Sequence, residues 1–328
     1  MRVFGFAFAL TAILALTNTA IATVSVVDPD YSLIVRSTSV QGFPIVVDSA
    51  ANVYTVTGTS AGDSLVEVAP NGTPTVLNGA VGHVVGVLAD LKFGFGGNLF
   101  ANCGVGGYPS PQGVVEFNSI TGAASDFYTY SLGYADGGLA FNASTQTLYL
   151  TSDADPALTA LNSAGEPTQV VPYATAGALG MAIENNGDLL VMSGSGDVFQ
   201  VNPGTQMQQT LLQLSQLLPG QGFAKIAVDP TTNDIFFDSS LNGESFIYRI
   251  NPDGSDLTEI ASDVNSVSGF TGLAIGASGD GSGETSIYAT DPGTSEIVEI
   301  RPVPEPASIS VLLLTGGVLV IRRRRGIV

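Results

Sequence analysis

The chain has 328 residues, 45% of them hydrophobic, with 29 acids against ten bases and one histidine. Between Asp28 and Glu305 only five bases (Arg36, Lys92, Lys225, Arg249 and Arg301) stand against all 29 acids, a formal charge of −24. A surface that acidic repels phosphate backbones and excludes nucleic acid as a partner, the single cysteine, Cys103, excludes an internal disulfide, and 40 Gly with 17 Pro are too much punctuation for a helical bundle.

Met1-Arg2 opens a basic start, Val3 to Leu16 is an apolar run, and Ala20-Ile21-Ala22 is a small-x-small end. These are the three parts of a secretory signal peptide, so residues 1–22 read as a leader cut after Ala22. The run holds 14 residues, short of the ~20 that span a bilayer.

Tyr31-Ser32-Leu33-Ile34-Val35-Arg36 is a β-rich segment with no repeat around it. From Ile45 onward three short patterns recur. An apolar run often ending in Asp or Glu restarts at Ile45, Leu91, Leu139, Met181, Ile226 and Leu273, after 46, 48, 42, 45 and 47 residues. A second β-rich run follows a short turn (Val53-Tyr54-Thr55-Val56, Leu148-Tyr149-Leu150, Ile287-Tyr288-Ala289). A third ends at a turn, as in Leu65-Val66-Glu67-Val68 before Asn71-Gly72 and Ile247-Tyr248-Arg249-Ile250 before Asp253-Gly254. Fourth strands are readable at 74–77, 168–171 and 257–260, and the sixth repeat has none.

The period is that of a four-stranded propeller blade, ~40–50 residues. The spacing therefore predicts an all-β, six-bladed β-propeller over residues 23–302, with the segment at Tyr31–Arg36 completing the last blade and removing the open edge. The order of the runs resembles NHL-type and SMP-30/gluconolactonase-like propellers.

At the C-terminal end, Val303-Pro304-Glu305-Pro306 precedes the apolar run Ile309 to Ile321 and the cluster Arg322, Arg323, Arg324 and Arg325. Two prolines keep Glu305 in extended chain, the run can enter a bilayer as a transmembrane helix, and the arginines hold its far end in the cytoplasm. Residues 303–328 resemble the PEP-CTERM sorting signal of Gram-negative bacteria. That resemblance implies an exosortase-type enzyme acting near Pro304-Glu305-Pro306, an inner-membrane intermediate, and a final place at the cell surface or outside the cell. Exopolysaccharide or surface proteins are the partners it implies.

The interior is poor in chemistry. Loops leading into the inner strands carry Asp90 and Asp136, with Asn102 and Asn142 farther off, as the candidates for a lactonase-type metal site. The early Glu-Gly-Pro type signature and the Asn pair that this resemblance calls for are missing. His83 is the only histidine and reads as structural, and Cys103 has no basic neighbour to lower its pKa. Three acidic loops (Ser152–Asp155, Asn251–Asp256 and Ser278–Glu284) have the composition of Ca²⁺ loops but not the spacing, and Asp, Asn and Gly favour turns on their own account. The expectation is therefore a non-enzymatic, surface- or matrix-associated propeller without a cofactor, binding a glycan or a protein. The alternatives are a metal-dependent extracellular enzyme of lactonase or lyase type and a purely structural matrix protein.

Overall fold

Apolar runs of three to seven residues, each closed by a glycine or an Asn/Asp turn, set the strand lengths. The computed structural model describes residues 24–303 other than 41, 60–61, 78–87, 104–112, 130–136, 152–156, 173–176, 265–269 and 292. The leader, the Pro304-Glu305-Pro306 motif, the apolar run after it with Arg322 to Arg325, His83 and Asp136 lie outside the described residues.

Two strands, β1 (Val24–Val26) and β2 (Tyr31–Ser37), precede the repeats. Blade one holds β3 (Ile45–Val47), β4 (Val53–Thr59), β5 (Gly62–Val68) and β6 (Pro74–Val76). Blade two holds β7 (Leu88–Phe93), β8 (Leu99–Cys103), β9 (Gly113–Phe117) and β10 (Ala124–Thr129). Blade three is β11 (Leu139–Asn142), β12 (Thr147–Leu150), β13 (Ala157–Leu161) and β14 (Pro167–Pro172). Blade four is β15 (Ala178–Ile183), β16 (Leu189–Ser193), β17 (Asp197–Asn202) and β18 (Met207–Gln213). Blade five has β19 (Gly222–Val228), β20 (Ile235–Leu241), β21 (Glu244–Ile250) and β22 (Thr258–Asp263), and blade six has β23 (Gly272–Ala277), β24 (Thr285–Asp291) and β25 (Glu296–Pro302).

Each blade is an antiparallel meander, and blade six takes β2 as its outermost strand, in the order β2-β25-β24-β23. The expected closure by Tyr31–Arg36 is thus present, and β1 extends it by adding a fifth strand to blade five beside β22. The fourth strands expected in blades one, three and five are β6, β14 and β22.

The face-to-face stacking of blades explains the sequence pattern. A middle strand is covered on both faces, so β16 is buried at every residue and reads as a continuous apolar run. An outermost strand meets solvent; β6 is exposed throughout, which is why fourth strands read weakly. Six clusters of buried side chains fill six seams, and the one between blades six and one (Ile45, Val53, Val68, Tyr288 and Ile297) closes the circle. The apolar-Asp signature is a turn device: Oδ1 of Asp48, Asn142 and Asp229 accepts backbone amides of the next few residues after the inner strand.

The closing strand is pinned by charge as well as by its ladder. Arg36 sits at a bulge between Val35 and Ser37 and is 4% exposed; its partner Glu299 on β25 is fully buried. Arg36 Nε lies 2.5 Å from Glu299 Oε2, an ion-pair contact rather than an aligned hydrogen bond. Glu299 also accepts from Arg301 Nε at 2.8 Å, Arg301 Nη2 at 2.9 Å and the Gly279 amide at 2.9 Å. Burial alone would raise its pKa, but the bonds from Arg301 and Gly279 and the charge of Arg36 outweigh it and hold the carboxyl below its ordinary value. Only glycine fits at 279, because a Cβ there would collide with the Arg36 guanidinium.

Removing one partner of a buried pair leaves an uncompensated charge, a loss of about 3–5 kcal/mol. Glu299→Ala is expected to lower stability by that order, measured as a shift of the urea midpoint at constant m-value. Because the folded pKa of Glu299 is depressed below its ordinary 4.5, its contribution is full above that value and is lost as pH falls below it.

Candidate functional site

Two loop sets define the faces of the ring. The turns from first to second and third to fourth strands lie on one face; the loops from second to third strands and between blades lie on the other, the mouth. Residues 60–61, 78–87, 104–112, 130–136, 152–156, 173–176 and 265–269, in connections of this second kind, lie outside the described residues.

Inner strands line the channel with Ile45, Phe93, Met181, Ile226 and Leu273, enclosing about 250 Å³, and Lys92 is its one charged lining group among the described residues. The sequence candidates do not converge on this space. Asp90 is 6% exposed; its Oδ1 accepts from the Leu91 amide and Lys92 Nζ, both at 2.9 Å, and its Oδ2 from the Leu139 amide at 2.8 Å. It therefore ties blade two to blade three. Asn102 pairs with Asp90 in the ladder but gives its amide to Gly137 O at 2.8 Å. Asn142 lies at the far end of β11, on the opposite face, in its own turn. Among the described residues no three or more His, Cys, Asp or Glu side chains are arranged to hold a metal ion.

The two acidic loops that are described are turns. Asp253 Oδ1 accepts from Ser255 N and Oγ, and Asp280 Oδ1 from Ser282 N. Hydrogen bonds from Ser282 lower the Asp280 carboxyl to about 2. These oxygens are committed within their own loops. The loop at Ser152–Asp155 lies outside the described residues.

The ionisable group that sequence reasoning missed is Asp238. Two residues after the second-strand aromatic (Phe100, Tyr149, Phe236 and Tyr288), blades two, three, five and six carry the buried polar residues Asn102, Thr151, Asp238 and Thr290. Each braces backbone at the mouth end of an inner strand. Thr151 Oγ1 accepts from Gly138 N at 2.7 Å, and Thr290 Oγ1 donates to Phe43 O at 2.8 Å. In blade five β19 bulges between Phe223 and Ile226, and Asp238 Oδ1 takes the two amides the bulge frees, Ala224 N at 3.1 Å and Lys225 N at 2.6 Å. Three blades use a neutral side chain for this task, and blade five uses an acid.

Asp238 lines a cleft of about 300 Å³ between blades four, five and six, with Gly194, Gly222, Phe223, Ser239 and Phe270. It is 3% exposed. Burial raises its carboxyl to about 6, although the Lys225 amide and charge and the Ala224 amide pull the other way. Both amides fall on Oδ1. A group that is half ionised near pH 6 can accept and return a proton at ordinary pH.

A second set of carboxyls lies toward the mouth between the same blades. Asp263, Asp291 and Glu296 are all nearly fully buried. Burial and a hydrogen bond with Asp263 push Asp291 up, and burial with the charges of Asp291 and Asp263 pushes Glu296 up.

No family model and no curated protein matches the sequence. Solved structures share the fold. A gluconolactonase from Xanthomonas campestris superposes with a TM-score of 0.58 at 13% identity, over 84% of this chain and 91% of that one. Regucalcin from Agrobacterium tumefaciens, described as a calcium-binding protein, gives 0.58 at 13%, over 84% and 97%. The PQQ-bound aldose sugar dehydrogenase of Streptomyces coelicolor gives 0.55 at 12%, over 83% and 98%. At such identities the likeness shows a six-bladed propeller of the SMP-30/gluconolactonase kind and no more. The expectation of a non-enzymatic domain is corrected by these neighbours, which are named for lactonase and dehydrogenase activity. That expectation rested on counting polar groups in the loops, and the acid in the cleft comes from a strand.

Ionising Asp238 inside the fold has a cost that pH exposes. Its pKa rises from 3.8 to about 6, so stability is highest below 3.8 on this account and is lost as pH rises toward 6, by about 3 kcal/mol in all. Between pH 7 and pH 5 the native protein is expected to gain several degrees in melting temperature, while Asp238→Asn shows a smaller gain and is the more stable of the two at pH 7. Differential scanning calorimetry at the two pH values checks both.

Proposed function

We propose that the propeller is an exported hydrolase that opens a small sugar-derived lactone at its mouth, with Asp238 as the acid–base group. The observation that carries the reading is a buried carboxyl in a cleft with its pKa raised to about 6. Lactonase-type neighbours support it, since the same ring places their chains over 84% of this one.

The chemistry follows from the pKa. Above pH 6 Asp238 is ionised and takes a proton from water as that water attacks the carbonyl carbon. The ring C–O bond then breaks, and the same carboxyl returns the proton to the departing oxygen, leaving a hydroxy acid. Two fixed amides on Oδ1 hold the carboxylate in place. The size of the cleft suits one small ring rather than a polymer.

In this reading residues 1–22 direct export with cleavage after Ala22. Pro304-Glu305-Pro306 and Arg322 to Arg325 pass the chain through an inner-membrane intermediate to an exosortase-type enzyme and on to the surface.

A pH-stat assay of five- and six-membered aldonolactones tests the activity. Saturable hydrolysis above the spontaneous rate is expected, with kcat/KM falling about tenfold per pH unit below 6. Asp238→Asn is expected to lose on the order of 10²-fold or more while remaining folded at pH 7. Wild-type rates in that variant, or no lactone opened by the folded protein, would refute the assignment.

A further inference from the structure

On the face opposite the mouth lies a cleft that chemistry at Asp238 does not use. It measures about 710 Å³ and runs from the lower end of the channel, past Phe141 and Ile183, into the seam between blades three and four. Its outer walls are turns: β11 to β12 at Asn142–Thr145, β15 to β16 at Glu184–Asp188, and β17 to β18 at Asn202–Gly204. A second depression of about 250 Å³ over β17 and β18 adjoins it at Asp188 and Asn202, and the two together are termed the groove.

The groove is lined by amides, and among the described residues no basic side chain lines it. Its two acids are already held by amides. Gln200 Nε2 donates to Glu184 Oε2 at 2.5 Å, and Asn202 and Asn186 donate to the two oxygens of Asp188 at 2.6 and 3.0 Å. The other halves of these amides are engaged as well: Gln200 Oε1 accepts from Gln209 Nε2 at 2.6 Å, Asn202 Oδ1 from Thr205 N and Oγ1, and Asn186 Oδ1 from the Asp188 amide. They form a fixed floor, and Gln209, which lines the second depression, keeps its carbonyl oxygen for a ligand. Asn142 Oδ1 accepts from Ser144 N, Ser144 Oγ and Thr145 N, so its NH₂ is the half left over. Gln169 and Asn185 donate to Pro203 O and Pro230 O at 2.9 and 3.0 Å, which leaves their carbonyl oxygens.

Fixed donors beside fixed acceptors suit hydroxyl groups, since each hydroxyl both donates and accepts. Phe141, half-buried at the channel end, supplies an apolar ring against which a sugar face can lie. A formal −24 and the lack of a basic lining group argue against an anionic chain. The continuation across two depressions argues for several units rather than one.

We propose that this groove binds a neutral polyhydroxylated chain, an oligosaccharide strand of several hexose units, independently of the reaction at the mouth. Isothermal titration of the full-length protein in mild detergent tests it, using gluco-, manno- and galacto-oligosaccharides of two to eight units and uronate oligomers of equal length. At least one neutral series is expected to bind at least tenfold more tightly at six units than at two, with no salt dependence. The pair Gln169→Ala and Gln209→Ala, exchanged on outer strands, is expected to weaken binding tenfold or more with melting unchanged, whereas Asp238→Asn binds as wild type. Absence of binding by every neutral series, equal binding of the uronates, or undiminished binding in the double variant would each overturn the proposal.

Discussion

The fold depends on one junction made across the whole length of the domain. Blade six has only three strands of its own, and its outer position is filled by β2, whose Ser32 lies 269 positions from its neighbour Arg301 in sequence. Most strand pairs join neighbours in the chain; this one, with β1 beside β22 in blade five, requires the two ends to meet. The ladder supplies backbone bonds, and the buried contact of Arg36 with Glu299 supplies register. A one-residue slip would carry Arg36 away from Glu299 and present Val35 instead. The charge pair is thus better understood as selecting the closure than as adding to its strength, since two desolvated ions gain little net energy.

That closure fixes the geometry at the mouth. Thr290 in blade six donates to Phe43 at the head of blade one, so the polar brace that Asn102 and Thr151 provide within the ring also spans the joint. Asp238 occupies the equivalent place in blade five and departs from the pattern. Thr or Asn there would brace the β19 bulge without an ionisation penalty. An acid with a raised pKa is a local cost that a purely structural role does not require, and such costs concentrate at functional sites. The same contrast appears on the opposite face, where Glu184 and Asp188 are fully engaged by amides and act as scaffolding.

The sequence carried the ring well and the site poorly, for physical reasons. Middle strands buried on both faces must be apolar throughout, so runs such as Leu189–Val191 announce themselves, and a regular period follows from identical stacking. Outer strands face solvent and lose that signal, which is why β10 and β18 went unread and β1 was not foreseen. Asp90 stood out as a carboxylate near the mouth, yet its oxygens face the neighbouring blade. Asp238 was hidden because it follows Phe236-Phe237 within a strand. A signal for it existed: aligning the second strands on their aromatic residues brings Val56, Asn102, Thr151, Asp238 and Thr290 into one column, and only one of these is an acid. The amide groove had no such signal, since its residues come from turns and outer strands that are far apart in sequence.

Closure by β2 is the claim on which the remaining geometry stands, and native-state hydrogen exchange reads it directly. If β2 is an integral strand of blade six, amides of Leu33 to Val35 exchange only through global unfolding, with the same protection as those of Ile297 to Ile300 on β25. Fast exchange in β2 while β24 and β25 stay protected would show a strand merely laid on a ring that closes without it, and would contradict this account.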